Sequence, residues 1–190
     1  MPGVLISVEG IDGAGKTTLV AALARELGAT VLREPGGVEL SERLRTLVQD
    51  PALEIDPRAE ALLFAAARAQ LVAERLKDHP GTVIIDRFTD SSLAYQGGGR
   101  ELGVAAIQAL NDFATSGLKP DRTLYLRLDP AVAMARVTDH DRLEAAGEAF
   151  FTRVAAAYDA LAEAEPDRFV VLDASEPPAA VLSAALAALR

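Results

Sequence analysis

Residues 4–18, VLISVEGIDGAGKTT, join an apolar run to a glycine-rich loop and the start of a helical pattern. The apolar run is typical of a buried strand in a parallel sheet, and the residues after the loop have helical spacing. Between them lies Gly-x-x-x-x-Gly-Lys-Thr, the pattern of a phosphate-binding loop. Backbone N–H groups of such a loop converge on an anion at the N-terminus of a helix. The segment therefore predicts a nucleoside triphosphate site.

Each polar side chain of this loop has an expected task. Lys16 is expected to reach the β- and γ-phosphates, and Thr17 to place its hydroxyl on Mg²⁺. A carboxylate pointing inward would repel phosphate, so we expect Asp12 to face a second substrate; a water-facing loop residue is the alternative. The residues predicted to bind the phosphates of ATP are Gly10, Asp12, Gly13, Ala14, Gly15, Lys16, Thr17 and Thr18.

Strand-length apolar runs alternate with helical patterns along the rest of the chain. The runs are 4–8, 30–32, 82–85, 123–128 and 169–172, and the helical patterns are 16–27, 38–49, 57–78, 103–115, 130–137, 147–164 and 178–190. This alternation predicts one α/β domain, residues 1–190, with a five-stranded parallel sheet covered by helices on both faces. A ligand is expected at the carboxyl ends of the strands. The run 96–100, QGGGR, is expected to interrupt a helical region.

Composition narrows the class of protein. The net charge of −9 disfavours a general nucleic-acid binder, which needs a basic face. No apolar run reaches the length that spans a bilayer, and the chain has no cysteine. We therefore expect a cytoplasmic protein without a membrane or nucleic-acid partner.

Two further pairs of residues suggest a site. Asp86 and Arg87 follow the run 82–85, where an acid can contact Mg²⁺ and a guanidinium can match a phosphate dianion; a capping role for Asp86 is the alternative. Phe64 and Arg68 are four residues apart and share one helix face, so they can stack on and hydrogen-bond to a base. The ordinary alternative is a core Phe beside a surface Arg.

Taken together, these segments resemble the thymidylate kinase family over nearly the whole chain. The likeness rests on the loop 10–18, on REPGG at 33–37 with Arg45, on Phe64 with Arg68, on DRF at 86–88, on DSSLAYQGGGR at 90–100, on KPD at 119–121 and on DRLE at 141–144. The resemblance implies phosphoryl transfer from ATP to dTMP, giving ADP and dTDP for dTTP synthesis, with Mg²⁺. It also implies a homodimer of the three-layer P-loop kinase fold, with a short lid at about 137–144.

The resemblance assigns most of the polar side chains to dTMP. Phe64 stacks on thymine, Arg68 bonds the carbonyl edge of the base, Tyr95 packs on deoxyribose and Asp12 receives the 3′-hydroxyl. The implied acceptor-phosphate ligands are Arg45 and Arg87, the residues lining the base and sugar are Ser92 and Gln96, and Glu34-Pro35 is the family's cis peptide bond.

The lid departs from the family pattern. Residues 11–14 of the phosphate loop lack a basic side chain, a variant that in this family implies catalytic arginines in the lid, yet residues 137–141 contain none. We therefore expect Arg142 to stabilise transition-state charge and Arg136 to lie near ATP. The implied catalytic residues are Lys16, Asp86, Arg87 and Arg142. The alternatives are a kinase of a deoxynucleoside or of another monophosphate, and a nucleotide-dependent switch or assembly ATPase.

Overall fold

The structure of this protein is a computed structural model in which residues 3–136 and 147–190 are described. In these ranges five strands form one sheet, namely β1 Leu5–Glu9, β2 Thr30–Arg33, β3 Val83–Asp86, β4 Arg122–Arg127 and β5 Phe169–Asp173. Every neighbouring pair is parallel, and the strand order is β2-β3-β1-β4-β5. The predicted five-stranded parallel sheet is confirmed.

Helices connect the strands and lie on both faces of the sheet. Over the described residues they are α1 Lys16–Leu27, α2 Glu39–Gln49, α3 Pro57–Leu71, α4 Thr89–Ser92, α5 Val104–Thr115, α6 Pro130–Arg136, α7 Glu148–Ala164 and α8 Pro178–Ala188. No helix in the described part of the chain combines the length and apolarity needed to cross a bilayer.

Two helical segments wind more widely than an α-helix. α3 continues as a π-helix at Val72–Leu76, within the predicted pattern 57–78, and α4 continues as a π-helix at Leu93–Gly99. The glycines at 97–99 lie inside this second π-helix, so the interruption expected at 96–100 starts later: the helix ends at Gly99 and α5 begins at Val104. A Cβ atom on Gly98 would lie 2.5 Å from the Cβ of Ala157. The glycines therefore allow α7 to pack closely against the π-helix.

The alternation of side chains along β1 separates the two layers of helices. Ile6 and Val8 join one core cluster with Leu23 of α1. Glu9 faces the opposite side, where it meets Tyr158 of α7. Since successive strand residues point to opposite faces, Val8 and Glu9 face opposite sides of the sheet. The three-layer arrangement is confirmed, and its central strand β1 leads into the phosphate loop.

Candidate active site

The phosphate loop connects β1 to α1 at the carboxyl edge of the sheet. Gly10 has a φ of 140°, and a Cβ there would lie 2.7 Å from the carbonyl oxygen of Leu126, so a side chain does not fit. Lys16 is buried at the start of α1, and its Nζ donates a hydrogen bond to the Ile11 carbonyl oxygen at 2.9 Å. The loop thus holds an ammonium group beside a helix N-terminus, where an anion binds favourably.

Thr17 in the first turn of α1 and Asp86 at the end of β3 meet beside this loop. The Thr17 hydroxyl donates a hydrogen bond to Asp86 Oδ2 at 3.1 Å. Mg²⁺ takes oxygen ligands and commonly uses one or two carboxylates together with waters and substrate phosphates. The hydroxyl and the carboxylate therefore suit a magnesium ion that also contacts a nucleotide.

Asp12 turns toward Arg87 and Tyr95. Its carboxylate forms an ion pair with Arg87 and accepts a hydrogen bond from the Tyr95 hydroxyl at 2.9 Å. The Arg87 guanidinium lies over the Tyr95 ring, 4.9 Å from the centroid. Although burial opposes the effect, Arg87 and Lys16 hold the pKa of Asp12 well below its usual range. Asp12 is therefore not the water-facing loop residue that the sequence left as an alternative.

Glu9 stabilises the turn that contains Arg87, a role that the sequence analysis did not predict. Arg87 has a φ of 67°, in the left-handed region, and the next residue, Phe88, donates its N–H to Glu9 at 2.7 Å. Ser91 and Tyr158 also donate to Glu9, at 2.6 and 2.8 Å. Burial raises the pKa of Glu9 to about 7. The signal in the sequence was a carboxylate at the end of a mostly apolar strand.

The predicted dTMP ligands line one cavity and come from four helical segments and three loops. All ten line it, namely Asp12, Glu34, Pro35, Arg45, Phe64, Arg68, Arg87, Ser92, Tyr95 and Gln96. Gln49 and Ser91 line it as well and were not predicted. We call this cavity the acceptor cavity.

Arg68 lies at the buried side of the acceptor cavity, with 2% of its surface exposed. Its Nε donates to Glu34 at 2.7 Å, and one terminal nitrogen donates to Ser92 at 3.1 Å and to Asn111 at 2.6 Å. The other terminal nitrogen donates to the Phe88 carbonyl oxygen at 3.0 Å. The alternative of a surface Arg beside a core Phe is therefore wrong.

The Glu34 carboxyl has one hydrogen-bond acceptor atom without a partner among the described residues. Burial raises the pKa of its carboxyl, against the opposing effect of Arg68. Its Oε2 atom pairs with Arg68, whereas the buried Oε1 atom has no hydrogen-bond partner among the described residues. The peptide bond between Glu34 and Pro35 is cis, as the family resemblance implied.

Gln96 is hydrogen-bonded to Glu60, a residue that the sequence analysis also did not predict. Gln96 Nε2 donates to Glu60 Oε1 at 2.9 Å, and Arg100 pairs with the same carboxylate at 3.1 Å. Glu60 is fully buried and lies four residues before Phe64 and eight before Arg68. That spacing places all three residues on one helix face and was the signal that could have identified Glu60.

A second cavity joins the phosphate loop to the acceptor cavity. It is lined by Lys16, Thr17 and Asp86 on one side and by Arg45 and Arg87 on the other. Arg45 donates to the Pro35 carbonyl oxygen at 3.0 Å, which places its guanidinium at the junction. Cationic groups thus line both the acceptor cavity and the cavity beside the phosphate loop.

A third cavity lies on the far side of the phosphate loop. Arg136 of α6 borders it together with Thr18 of α1 and Pro178 of α8. The Arg136 guanidinium donates to the carbonyl oxygens of Gly13 and Ala174, each at 3.4 Å. Arg142 and the expected lid at about 137–144 lie outside the described residues.

A phosphate loop flanked by two cavities defines the class of protein as a P-loop kinase, which brings two bound molecules together for phosphoryl transfer. The sequence model of the thymidylate kinase family matches residues 8–185. The chain is 48% identical over 197 aligned positions to the thymidylate kinase of Bifidobacterium longum strain NCC 2705, which covers 97% of this chain and 96% of that protein.

Two further relatives agree over nearly the whole chain. The thymidylate kinase of Deinococcus radiodurans is 47% identical over 186 positions, covering 92% of this chain and 90% of that protein. The thymidylate kinase of Lactobacillus acidophilus is 43% identical over 192 positions, covering 93% and 89%. The chain belongs to the thymidylate kinase family and is a nucleoside monophosphate kinase.

Proposed function

We propose that this protein transfers the γ-phosphoryl group of ATP to dTMP and yields ADP and dTDP for dTTP synthesis. The observation that carries this proposal is that the cavity beside the phosphate loop adjoins the acceptor cavity. Asp12, Glu34, Arg45 and Arg87 line both cavities. A monophosphate in the acceptor cavity would therefore present its phosphate toward Lys16.

Phosphoryl transfer requires alignment of two phosphates and neutralisation of charge, with little covalent chemistry by the protein. Lys16 supplies a cation at the transferring group. Burial lowers the pKa of Lys16, and the positive charge of Arg87 lowers it further. Asp12, Asp86 and Glu9 oppose that decrease and favour the charged form. Arg45 and Arg87 hold the acceptor phosphate. The protein thus contributes mainly position and positive charge.

We propose Mg²⁺ as the metal that accompanies ATP, held by Thr17 and Asp86. The 3.1 Å contact between their oxygen atoms supports this assignment. When bound, the ion neutralises charge on the β- and γ-phosphates. Lys16 and the backbone of the loop position the same phosphates from the other side.

The thymine base is proposed to stack on Phe64 and to meet Arg68 at its carbonyl edge. Phe64 is half-buried and lines the cavity, which supports this stacking role. All three guanidinium nitrogens of Arg68 already have protein acceptors. A base carbonyl would therefore receive the N–H that now reaches Ser92, whose hydroxyl can rotate to another partner.

The donor nucleotide is proposed to occupy the third cavity, with Arg136 beside it. Arg142 is proposed to contribute transition-state charge from the lid at about 137–144. This assignment rests on the family resemblance.

The proposed reaction is tested with pure protein, ATP, Mg²⁺ and a panel of acceptors. We expect rapid formation of dTDP from dTMP, slower turnover of dUMP, and little turnover of thymidine or AMP. Preference for thymidine or AMP would contradict the acceptor assignment. Slow ATP hydrolysis without any phosphorylated acceptor would favour the switch or assembly ATPase.

We also propose that the protein is a cytoplasmic homodimer and that residues 1–190 form one domain. Apolar side chains on the neighbouring helices α2, α3 and α5 support the dimer, because they are unusually exposed. Phe113 of α5 is 87% exposed and Leu62 of α3 is 58% exposed. Leu47 of α2 is also exposed. A second copy of the chain would cover this face.

A further inference from the structure

The buried carboxylate of Glu60 determines how the amide of Gln96 is oriented. An ionised carboxylate only accepts hydrogen bonds, whereas a glutamine amide has one accepting oxygen and one donating nitrogen. Arg100 pairs with Glu60 through two nitrogens, at 3.3 and 3.1 Å. The Gln96 amide must therefore direct its NH₂ group at Glu60, and the distance is 2.9 Å.

The same contact leaves the oxygen of Gln96 for the acceptor cavity. Gln96 lines that cavity, whereas Glu60 is not part of its wall. The Gln96 side chain donates its hydrogen bond to Glu60 through Nε2. Because Nε2 points toward Glu60, Oε1 is the polar atom of this amide that a bound base can meet.

We propose that Glu60 is a positioning residue that fixes Oε1 of Gln96 toward the acceptor cavity and thereby selects a pyrimidine with a hydrogen on N3. This inference rests on the proposed function. Thymine and uracil donate N3–H, whereas cytosine presents a bare N3 with a lone pair. An oxygen held at this place accepts a hydrogen bond from the first kind of base and repels the second.

Fixing the amide matters because a free glutamine side chain does not discriminate. Rotation of the amide by 180° exchanges its donor and acceptor, and the flipped amide would hydrogen-bond to the bare N3 of cytosine. Glu60 prevents the flip, since the flipped oxygen would face a carboxylate. The selectivity of Gln96 thus depends on a residue that does not line the cavity.

The test compares two acceptors that differ only at the base edge, dTMP and 5-methyl-dCMP. We expect Glu60→Gln to raise the KM for dTMP roughly tenfold with a smaller change in kcat, as loss of one hydrogen bond implies. The kcat/KM ratio of dTMP to 5-methyl-dCMP should fall by about fivefold or more, because the Gln96 amide can now turn. An equal loss for both acceptors, with the ratio unchanged, would show a purely structural role and overturn the inference.

Glu74→Gln is the matched control, since Glu74 accepts from Gln70 on the exposed side of the same helical stretch. It should leave the ratio unchanged. If Glu60→Gln does not fold, the unaltered protein still provides a test with N3-methyl-dTMP. We expect N3-methyl-dTMP to have a KM at least tenfold above that of dTMP; equal values would overturn the inference.

The two proposals fail in different ways. Absence of dTDP formation by the unaltered protein would refute the proposed function itself. Normal dTDP formation, with an unchanged acceptor ratio in Glu60→Gln, would refute only the role of Glu60.

Discussion

Single side chains set the charge balance where the phosphates are expected. Asp12 partly neutralises Lys16, at 3.6 Å, and Arg87, through an ion pair. A nucleotide phosphate would compete for the same two cations. Asp12 thus keeps buried positive charges compatible with folding.

Lys16→Ala removes the cation closest to the helix N-terminus. We expect kcat to fall roughly 10²–10³-fold, with a smaller change in the KM for dTMP, because this charge acts on the transferring group. Steady-state kinetics with ATP and dTMP measure the effect. Lys77→Ala, at an exposed lysine, is the control and should retain activity. A variant at Lys16 with near-normal kcat would contradict the role.

Glu9 makes stability depend on pH. Its pKa is raised from 4.5 to about 7 in the folded state, so the protonated form is favoured by folding. The associated stability is fully present below pH 4.5 and is lost as pH rises through 7. Glu9→Gln imitates the protonated form and removes this dependence.

We therefore expect the difference in unfolding free energy, unaltered protein minus Glu9→Gln, to fall by on the order of 3 kcal/mol between pH 4.5 and 8. Chemical denaturation at several pH values measures it. A difference that stays constant over this range would show that Glu9 titrates normally.

Among the helices, the contact of α7 with the π-helix Leu93–Gly99 shapes the acceptor cavity. Tyr95 and Gln96 lie on this π-helix, and its glycine end packs against α7. The wider winding and the missing side chains let the two helices approach. The glycine run that looked like a helix break therefore acts as a packing surface.

Gly98→Ala places a methyl group 2.5 Å from the Ala157 Cβ atom. We expect a loss of about 1–3 kcal/mol in unfolding free energy from overpacking. Ala157→Gly in the same chain should recover part of that loss, although alone it is mildly destabilising. A double-mutant cycle by chemical denaturation measures the coupling. Strictly additive effects would mean that the two positions do not clash.

For the molecule as a whole, strand order explains why two ligands meet at one place. β1 lies between β3 and β4, so its loop borders the connections on both sides. Ligands of open α/β sheets bind at such switch points. The exposed apolar side chains of α2, α3 and α5 are proposed to meet a second copy of the chain.

Leu62→Ser combined with Phe113→Ser should weaken the proposed homodimer. Removing two large apolar side chains from an interface typically costs enough to dissociate it at micromolar concentration. Sedimentation velocity should show a dimer for the unaltered protein and a monomer for the double variant. Leu27→Ser with Val132→Ser, at exposed apolar positions elsewhere, is the control. An unchanged sedimentation coefficient for the first pair would place the interface on another face.

The set of residues that line the acceptor cavity was largely predictable, but their partners were not. Phe64 and Arg68 are linked by helical spacing, and Asp86 and Arg87 by the end of a strand. The burial of Arg68 depends on Glu34, Ser92 and Asn111, which lie 34, 24 and 43 residues away. Spacing within one helix cannot reveal such contacts.

The sequence by itself determined the phosphate loop, the parallel sheet and the family, because these follow from local spacing and from motifs in a fixed order. Tertiary structure alone decided that Glu9 braces the Arg87 turn and that Glu60 orients Gln96. Glu9 reaches Tyr158 across 149 residues, and Glu60 reaches Gln96 across 36. The physical reason is that buried polar groups must find hydrogen-bond partners wherever the crossovers of the sheet bring them.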